Sequence, residues 1–174
     1  MIVKNKAVYK ISVSALFAAL ICVAVVVFPM PLPTGGFFNF GDCFIIVAAL
    51  CIGPLWGGLA AGVGAGLSDL ILGFAVYSPV TFVVKFLMAV VIFYIVKGVR
   101  KTGFKYDVIT VTAAAAVGEV VMIAGYFLFE IFYYGFAGAA ADVLGNAIQG
   151  ACGMVSGSLV FNILSKTGVT SKLF

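Results

Sequence analysis

The sequence predicts an all-α integral membrane protein, a six-transmembrane-helix bundle with both termini cytoplasmic, and three observations carry that expectation. First, 64% of the 174 residues are hydrophobic and only 9% charged, with a mean hydropathy of +1.28, whereas charged residues make up roughly a quarter of a soluble domain. Second, the length gives room for about six spans of roughly 20 residues each. Third, nine of the ten basic residues lie in three short stretches between or outside the apolar runs, the way a membrane protein marks its cytoplasmic side. The exception is Lys85, inside an apolar run. Residues 1–174 read as a single membrane domain with nothing left over for a soluble one.

The first helix is expected at about 11–30, after the basic start Lys4, Lys6 and Lys10. A secretory signal has an apolar region of roughly 7 to 15 residues ending in a small-residue cleavage site, whereas this run is longer and stops at Pro29-Met30-Pro31-Leu32-Pro33. It reads as a retained helix. Helices at about 41–52, 54–74, 79–97, 108–133 and 142–165 follow, with breaks at Gly53-Pro54, Ser78-Pro79, Lys97–Asp107 and Gly135–Ala141. The helix at 41–52 is only about 18 Å long, short for a full crossing.

Charge decides between five crossings and six. A single crossing over 41–74 would place Lys97, Arg100, Lys101 and Lys105 opposite the N-terminal lysines. Six crossings put all nine flanking charges, Lys166 and Lys172 included, on the cytoplasmic side and leave loops 31–40, 75–78 and 134–141 without Lys or Arg.

That orientation assigns a depth to each polar residue, at about 1.5 Å per residue. Asp42, Asp69, Lys85, Glu130, Asp142, Asn146 and Gln149 all fall in the outer half, and Glu119 lies near the midplane. Helical spacing groups them further: Asp142, Asn146, Gln149 and Gly153 share one face, as do Glu119, Met122, Tyr126, Glu130 and Tyr133, and Thr81 sits one turn from Lys85. Ionisable groups are costly in a membrane and face a bundle interior or a wet cavity, so these stripes are expected to converge on a polar pocket. Solvation at the interface is the alternative for Asp42, Asp69 and Asp142, a structural hydrogen bond for Glu119, and snorkelling for Lys85, with Asp69 or Glu130 at hand as its partner. Asn146 and Gln149 supply donors and acceptors suited to a heteroaromatic or hydroxylated ligand.

Two loops are placed to close this pocket. Residues 31–42 combine Gly35 and Gly36, which permit close backbone approach, with Phe37, Phe38 and Phe40, suited to stacking or to an interfacial belt, and with Asn39. The stretch Tyr133–Ala141 is rich in Gly and Ala.

Small residues form flat helix edges that allow close approach. Gly58, Gly62 and Gly66, and likewise Gly153 and Gly157, are expected to pack internally, while Ser12, Ala15, Ala19 and Cys22 suit either packing or docking of another membrane protein. The chain has no histidine, and Cys22, Cys43, Cys51 and Cys152 lack paired ligand spacing, so no metal site, disulfide framework or imidazole catalysis is expected. No phosphate-cradling glycine loop and no nucleophile–base set are present either. The chain reads as a non-enzymatic binding subunit with no nucleic-acid partner.

The residues Ala15-xxx-Ala19, Pro33-Thr34-Gly35-Gly36, Asn39-Phe40-Gly41-Asp42, Ser68-Asp69-Leu70, Tyr77-Ser78-Pro79-Val80-Thr81-Phe82 with Lys85, Gly118-Glu119, Gly125-Tyr126-Phe127-Leu128-Phe129-Glu130 and Gly145-Asn146-Ala147-Ile148-Gln149-Gly150 resemble the substrate-binding S components of energy-coupling factor (ECF) vitamin transporters. The pattern is most similar to the hydroxymethylpyrimidine or pyridoxine branch. The resemblance implies a multi-pass protein of a prokaryotic plasma membrane that captures a vitamin from outside and docks through Ala15 and Ala19 on a transmembrane coupling subunit. It implies no cofactor in this chain, since two cytoplasmic ATPase subunits use the ATP. Gly36, Phe37, Asn39, Asp42, Asp69, Thr81, Lys85, Glu119, Tyr126, Glu130, Asn146 and Gln149 are then the expected substrate contacts. The competing expectation is a stand-alone secondary transporter or channel with Glu119 and Glu130 as a proton or cation relay.

Overall fold

The computed structural model describes residues 6–27, 29–31, 37–101 and 108–167. Four helices are long and apolar enough to cross a membrane: α1 (Lys6–Val27), α2 (Gly41–Leu72), α3 (Ser78–Lys101) and α4 (Val108–Lys166). Two-residue strands, β1 (Met30–Pro31) and β2 (Phe37–Phe38), pair antiparallel between α1 and α2. Pro31, Phe37 and Phe38 of the loop expected at 31–42 thus belong to a small ladder.

Six expected helices appear as four because two breaks take only one residue each. In α2 the sole non-helical position is Gly53, with φ +85°; in α4 it is Gly135, with φ +79°. Glycine adopts these angles without steric cost, so the helical hydrogen-bond pattern resumes at once. Both breaks reverse the chain. A Cβ built on Gly57 would lie 2.7 Å from the Ala49 Cα, a pair that about 12 Å would separate in a straight helix. Likewise a Cβ on Gly150 would lie 3.1 Å from the Glu119 side chain, against about 46 Å along a straight helix. The expected loop at Gly135–Ala141 is a correction: only Gly135 leaves the helix, because the alanines that follow are good helix formers.

Other boundaries shift for local reasons. α1 begins at Lys6 and ends at Val27, giving Met30 and Pro31 to the ladder. α2 ends at Leu72 because Gly73, at φ +87°, caps it in the left-handed conformation, with the Phe74 N–H donating to the Asp69 carbonyl at 2.8 Å. The Ser78 hydroxyl then donates back to the Gly66 carbonyl at 2.8 Å, fixing the turn between α2 and α3.

The core lies between α2, α3 and α4, with Ile46, Leu50, Met88, Ile92 and Met122 fully buried. Glycines set the helix spacing. Along α2, Gly58 and Gly62 meet the rings of Phe86 and Phe82, and Gly64 meets the Ala18 carbonyl of α1. On α4, Gly118 abuts Ile92, Gly125 abuts Val84, and Gly157 abuts Ile46. The small-residue faces of α2 and α4 are therefore internal. On α1, Ser14, Ile21, Ala24 and Val25 turn inward, while Ala15 and Ala19 are exposed beside Leu16, Leu20 and Val23.

Valine at position 64 would place its Cβ 2.5 Å from the Ala18 carbonyl oxygen, whereas nothing lies within 4 Å of a Cβ at Gly98. Gly64→Val is expected to destabilise the protein by about 1–3 kcal/mol, and Gly98→Ala to leave stability unchanged or raise it slightly. Thermal unfolding of both purified variants in one detergent checks this, and equal midpoints would contradict the close packing of α1 on α2.

Candidate functional site

The start of α2, the turn at Gly73–Tyr77 and the break at Gly135 all lie at one end of the bundle, where Val25 of α1 also arrives. A cavity opens there. Its empty volume is about 660 Å³ including the open mouth. Its lining includes Asn39, Asp42, Asp69, Thr81, Lys85, Tyr126, Glu130, Asn146 and Gln149, together with Val25, Gly41, Ile45, Ala65, Ser68, Phe74 and Tyr77.

The floor is a closed polar network. The Lys85 ammonium pairs with Asp42 Oδ1, and Gln149 Nε2 donates to Asp42 Oδ2 at 2.7 Å. Asn39 Nδ2 donates to Gln149 Oε1 at 3.0 Å, and Asn39 Oδ1 accepts the Gly41 N–H at 2.9 Å. Lys85 also reaches Met122 Sδ at 2.9 Å and lies 5.7 Å from the Tyr126 ring centroid. Residues from α2, α3 and the returning arm of α4 thus meet on one carboxylate, with Met122 of the first arm against the Lys85 ammonium. Asp42 lies in the first turn of α2, where the helix dipole favours a negative charge.

This geometry corrects one expectation and decides against one alternative. Lys85 pairs with Asp42, not with Asp69 or Glu130; and Asp42, 0% exposed, is not solvated at the interface. The reason is close packing: a Cβ on Gly153 would lie 2.6 Å from the Asp42 Cβ, so α4 covers the start of α2.

The walls and mouth are aromatic and acidic. The Tyr126 hydroxyl donates to Thr81 Oγ1 at 3.2 Å. Tyr77 points its hydroxyl at Glu130 Oε1 at 3.4 Å and packs edge-on to Phe129, with ring centroids 5.2 Å apart. Burial, followed by the neighbouring Tyr134 and the carboxylates of Glu130 and Asp142, pushes the Tyr77 phenol well above its ordinary pKa, so it stays a neutral donor. Among the described residues, Asp69 Oδ2, Glu130 Oε2, Asp142 Oδ1 and both Glu119 oxygens are buried without a hydrogen-bond partner.

One expected contact lies apart from the cavity. Glu119 is buried but does not line it, because its carboxylate sits against Gly150 and Gly153 on the returning arm of α4. Phe37 contributes its backbone to β2, and Gly36 lies outside the described residues. Sequence reasoning missed Tyr77 as a lining residue, although an aromatic hydroxyl directly before the Ser78-Pro79 helix start is a local signal for a side chain held over a helix end. Val25, Ile45 and Ala65 carried no such signal, being apolar residues within apolar runs.

Breaking a buried pair by removing one partner leaves an uncompensated charge and costs about 3–5 kcal/mol. Asp42→Asn and Lys85→Met are each expected to destabilise the protein by that order, and the combined variant by clearly less than their sum. Chemical denaturation of the four proteins in detergent measures the coupling; additive losses would show that the pair is not a unit.

Comparison with known proteins gives a consistent assignment. Residues 5–166 match the family described as the ECF-type riboflavin transporter, S component. A Pyrococcus woesei protein, described as an uncharacterized protein in a gap 3′ region, is 33% identical over 138 residues, covering 79% of this chain and 88% of that protein. Among solved structures, the S component for biotin from an ECF-type ABC transporter matches with a TM-score of 0.65 and 16% identity over 100% of both chains. The S component of a bacterial ECF transporter matches with a TM-score of 0.67 and 17% identity, covering 93% of this chain and 98% of that one. ThiT from Listeria monocytogenes matches with a TM-score of 0.60 and 16% identity over 96% of each. At such identities the structures share the fold, while the family match spans nearly the whole sequence: the chain is a multi-pass membrane protein belonging to the family of ECF-type riboflavin transporter S components, which are substrate-binding transporter subunits and not enzymes.

Proposed function

We propose that the chain is the substrate-binding subunit of an ATP-driven ECF importer in a prokaryotic plasma membrane. It captures a small vitamin from outside and delivers it inward by docking on a transmembrane coupling subunit served by two cytoplasmic ATPase subunits. The observation that carries this reading is the one-ended cavity, floored by the Lys85–Asp42–Gln149 network and the apolar core beneath it. Such a shape favours capture over conduction. Among the described basic residues, Lys10, Lys97, Arg100, Lys101 and Lys166 lie towards the opposite end of the helices from the cavity. Positive-inside bias then makes the cavity end external, with six crossings and both termini cytoplasmic.

The substrate we favour is pyridoxine, hydroxymethylpyrimidine or a related compound, with riboflavin as the competitor that the family description suggests. Asn146 and Thr81 offer polar contacts, and Tyr77, Phe74 and Tyr126 offer aromatic surface for a flat ring. Ala15 and Ala19, exposed on α1, form the flat edge proposed to meet the coupling subunit.

Native mass spectrometry of the purified protein is expected to show a near-stoichiometric small aromatic ligand, and Asn146→Ala to weaken its binding about 10-fold. Uptake into vesicles is expected only with the coupling and ATPase subunits and ATP present. Uptake by this chain alone, collapsing with the proton gradient, would establish the stand-alone transporter instead. In the same system Ala15→Trp and Ala19→Trp are expected to block assembly with the coupling subunit while leaving ligand affinity intact; normal assembly would refute the docking edge.

A further inference from the structure

Glu119 is buried beside the floor network and takes no part in its hydrogen bonds. It is 4% exposed and does not line the cavity. Among the described residues it is the one carboxylate with both oxygens buried and without a partner. Met122, three residues along the same arm of α4, turns its sulfur to the Lys85 ammonium. The returning arm presents only glycine to the Glu119 carboxylate: a Cβ on Gly150 would lie 3.1 Å from Oε2, and one on Gly153 would lie 3.2 Å from Oε1. That same Gly153 Cβ would lie 2.6 Å from the Asp42 Cβ, so Glu119 and Asp42 press on one point of α4 from two sides. The charged groups acting on Glu119 are Asp42 from α2 and Lys85 from α3.

Two carboxylates thus stand around one ammonium in an apolar bundle, and the donors are divided unequally. Lys85 and Gln149 both donate to Asp42, and neither donates to Glu119. An ionised carboxylate without donors in a medium of low dielectric is so costly that the group takes up a proton instead. The like charge of Asp42 acts in the same direction. Attraction to Lys85 opposes it, but that ammonium is already neutralised by its contact with Asp42.

We infer that Glu119 holds a proton at neutral pH and that this proton reserves the Lys85 ammonium for Asp42. Glu119 is a positioning residue, off the cavity lining and acting through Lys85. Loss of its proton would create a second acceptor for the ammonium, draw it away from Asp42 Oδ1 and leave Gln149 to hold Asp42. The floor of the cavity would then lose its fixed geometry. This role goes beyond the binding-subunit reading and does not depend on it.

Infrared spectroscopy of the full-length protein in detergent at neutral pH tests the proton directly. The carbonyl band of a protonated carboxylic acid is expected in the unmodified protein, and part of it is expected to vanish in both Glu119→Gln and Glu119→Met, which put neutral side chains of similar length in its place. Chemical denaturation detects the same proton. A folded protein that keeps a proton which its unfolded chain releases loses stability as pH rises above the ordinary glutamate value of about 4.3. From about pH 5 to about pH 7, the unfolding equilibrium constant of the unmodified protein is expected to rise about tenfold per pH unit relative to that of Glu119→Gln. The coupling between Asp42 and Lys85, measured by the double-variant cycle, is expected to fall over the pH range in which the acid band disappears, and to stay constant in the Glu119→Gln background. Spectra of unmodified protein and variants with the same acid band, parallel pH profiles, or failure of both variants to fold would overturn the proton on Glu119. A band that disappears with unchanged coupling would overturn the positioning role. Each of these results leaves the binding-subunit reading in place.

Discussion

A charged pair in an apolar bundle has to be closed on every side, and the Lys85–Asp42 contact imposes that requirement on the rest of the chain. Asp42 has 0% exposure, so its second oxygen needs a protein donor, and Gln149 supplies one from the far arm of α4. Gln149 in turn needs a donor for its carbonyl, which Asn39 provides from the end of the β1–β2 segment. Three helices and the small ladder are thereby fixed relative to one another by a single carboxylate. The net worth of such a pair in stability is modest, since desolvation offsets attraction. What it supplies is register: a slip of one residue in any of the three helices would leave a buried charge alone.

Close backbone approach makes this geometry reachable. Gly153 permits Asp42 to sit directly against α4, and Gly150 does the same for Glu119. Larger residues at these positions would hold the helices apart by more than the reach of the Gln149 amide. The glycines that read in the sequence only as packing edges thus set the distances on which the polar network depends.

Much of the molecule was legible in the sequence because membrane segments are constrained simply. Apolar runs and their breaks located the helices, and polar stripes at helical spacing located Lys85, Tyr126, Glu130, Asn146 and Gln149, which the fold brings to one cavity. The pairing of Lys85 was not legible. Depth alone favoured Asp69 and Glu130, because a linear depth scale cannot show that α4 folds over the start of α2 and dries Asp42. Glu119 misled for a related reason: it shares a helical stripe with Tyr126 and Glu130 but lies lower, where the returning arm of α4 covers it. The loop expected after Gly135 failed because one left-handed glycine suffices to reverse a chain of good helix formers.

The outward face of α1 has a separate consequence. Ala15 and Ala19 support no part of the core, and neither contributes to the cavity lining. Contact with the membrane environment and contact with a small molecule are therefore written in disjoint sets of residues, joined only through the inner edge of one helix. Drift in one set leaves the other physically untouched, so the same outer face can accompany many different cavities, and a cavity can be re-lined without renegotiating what the outer face meets.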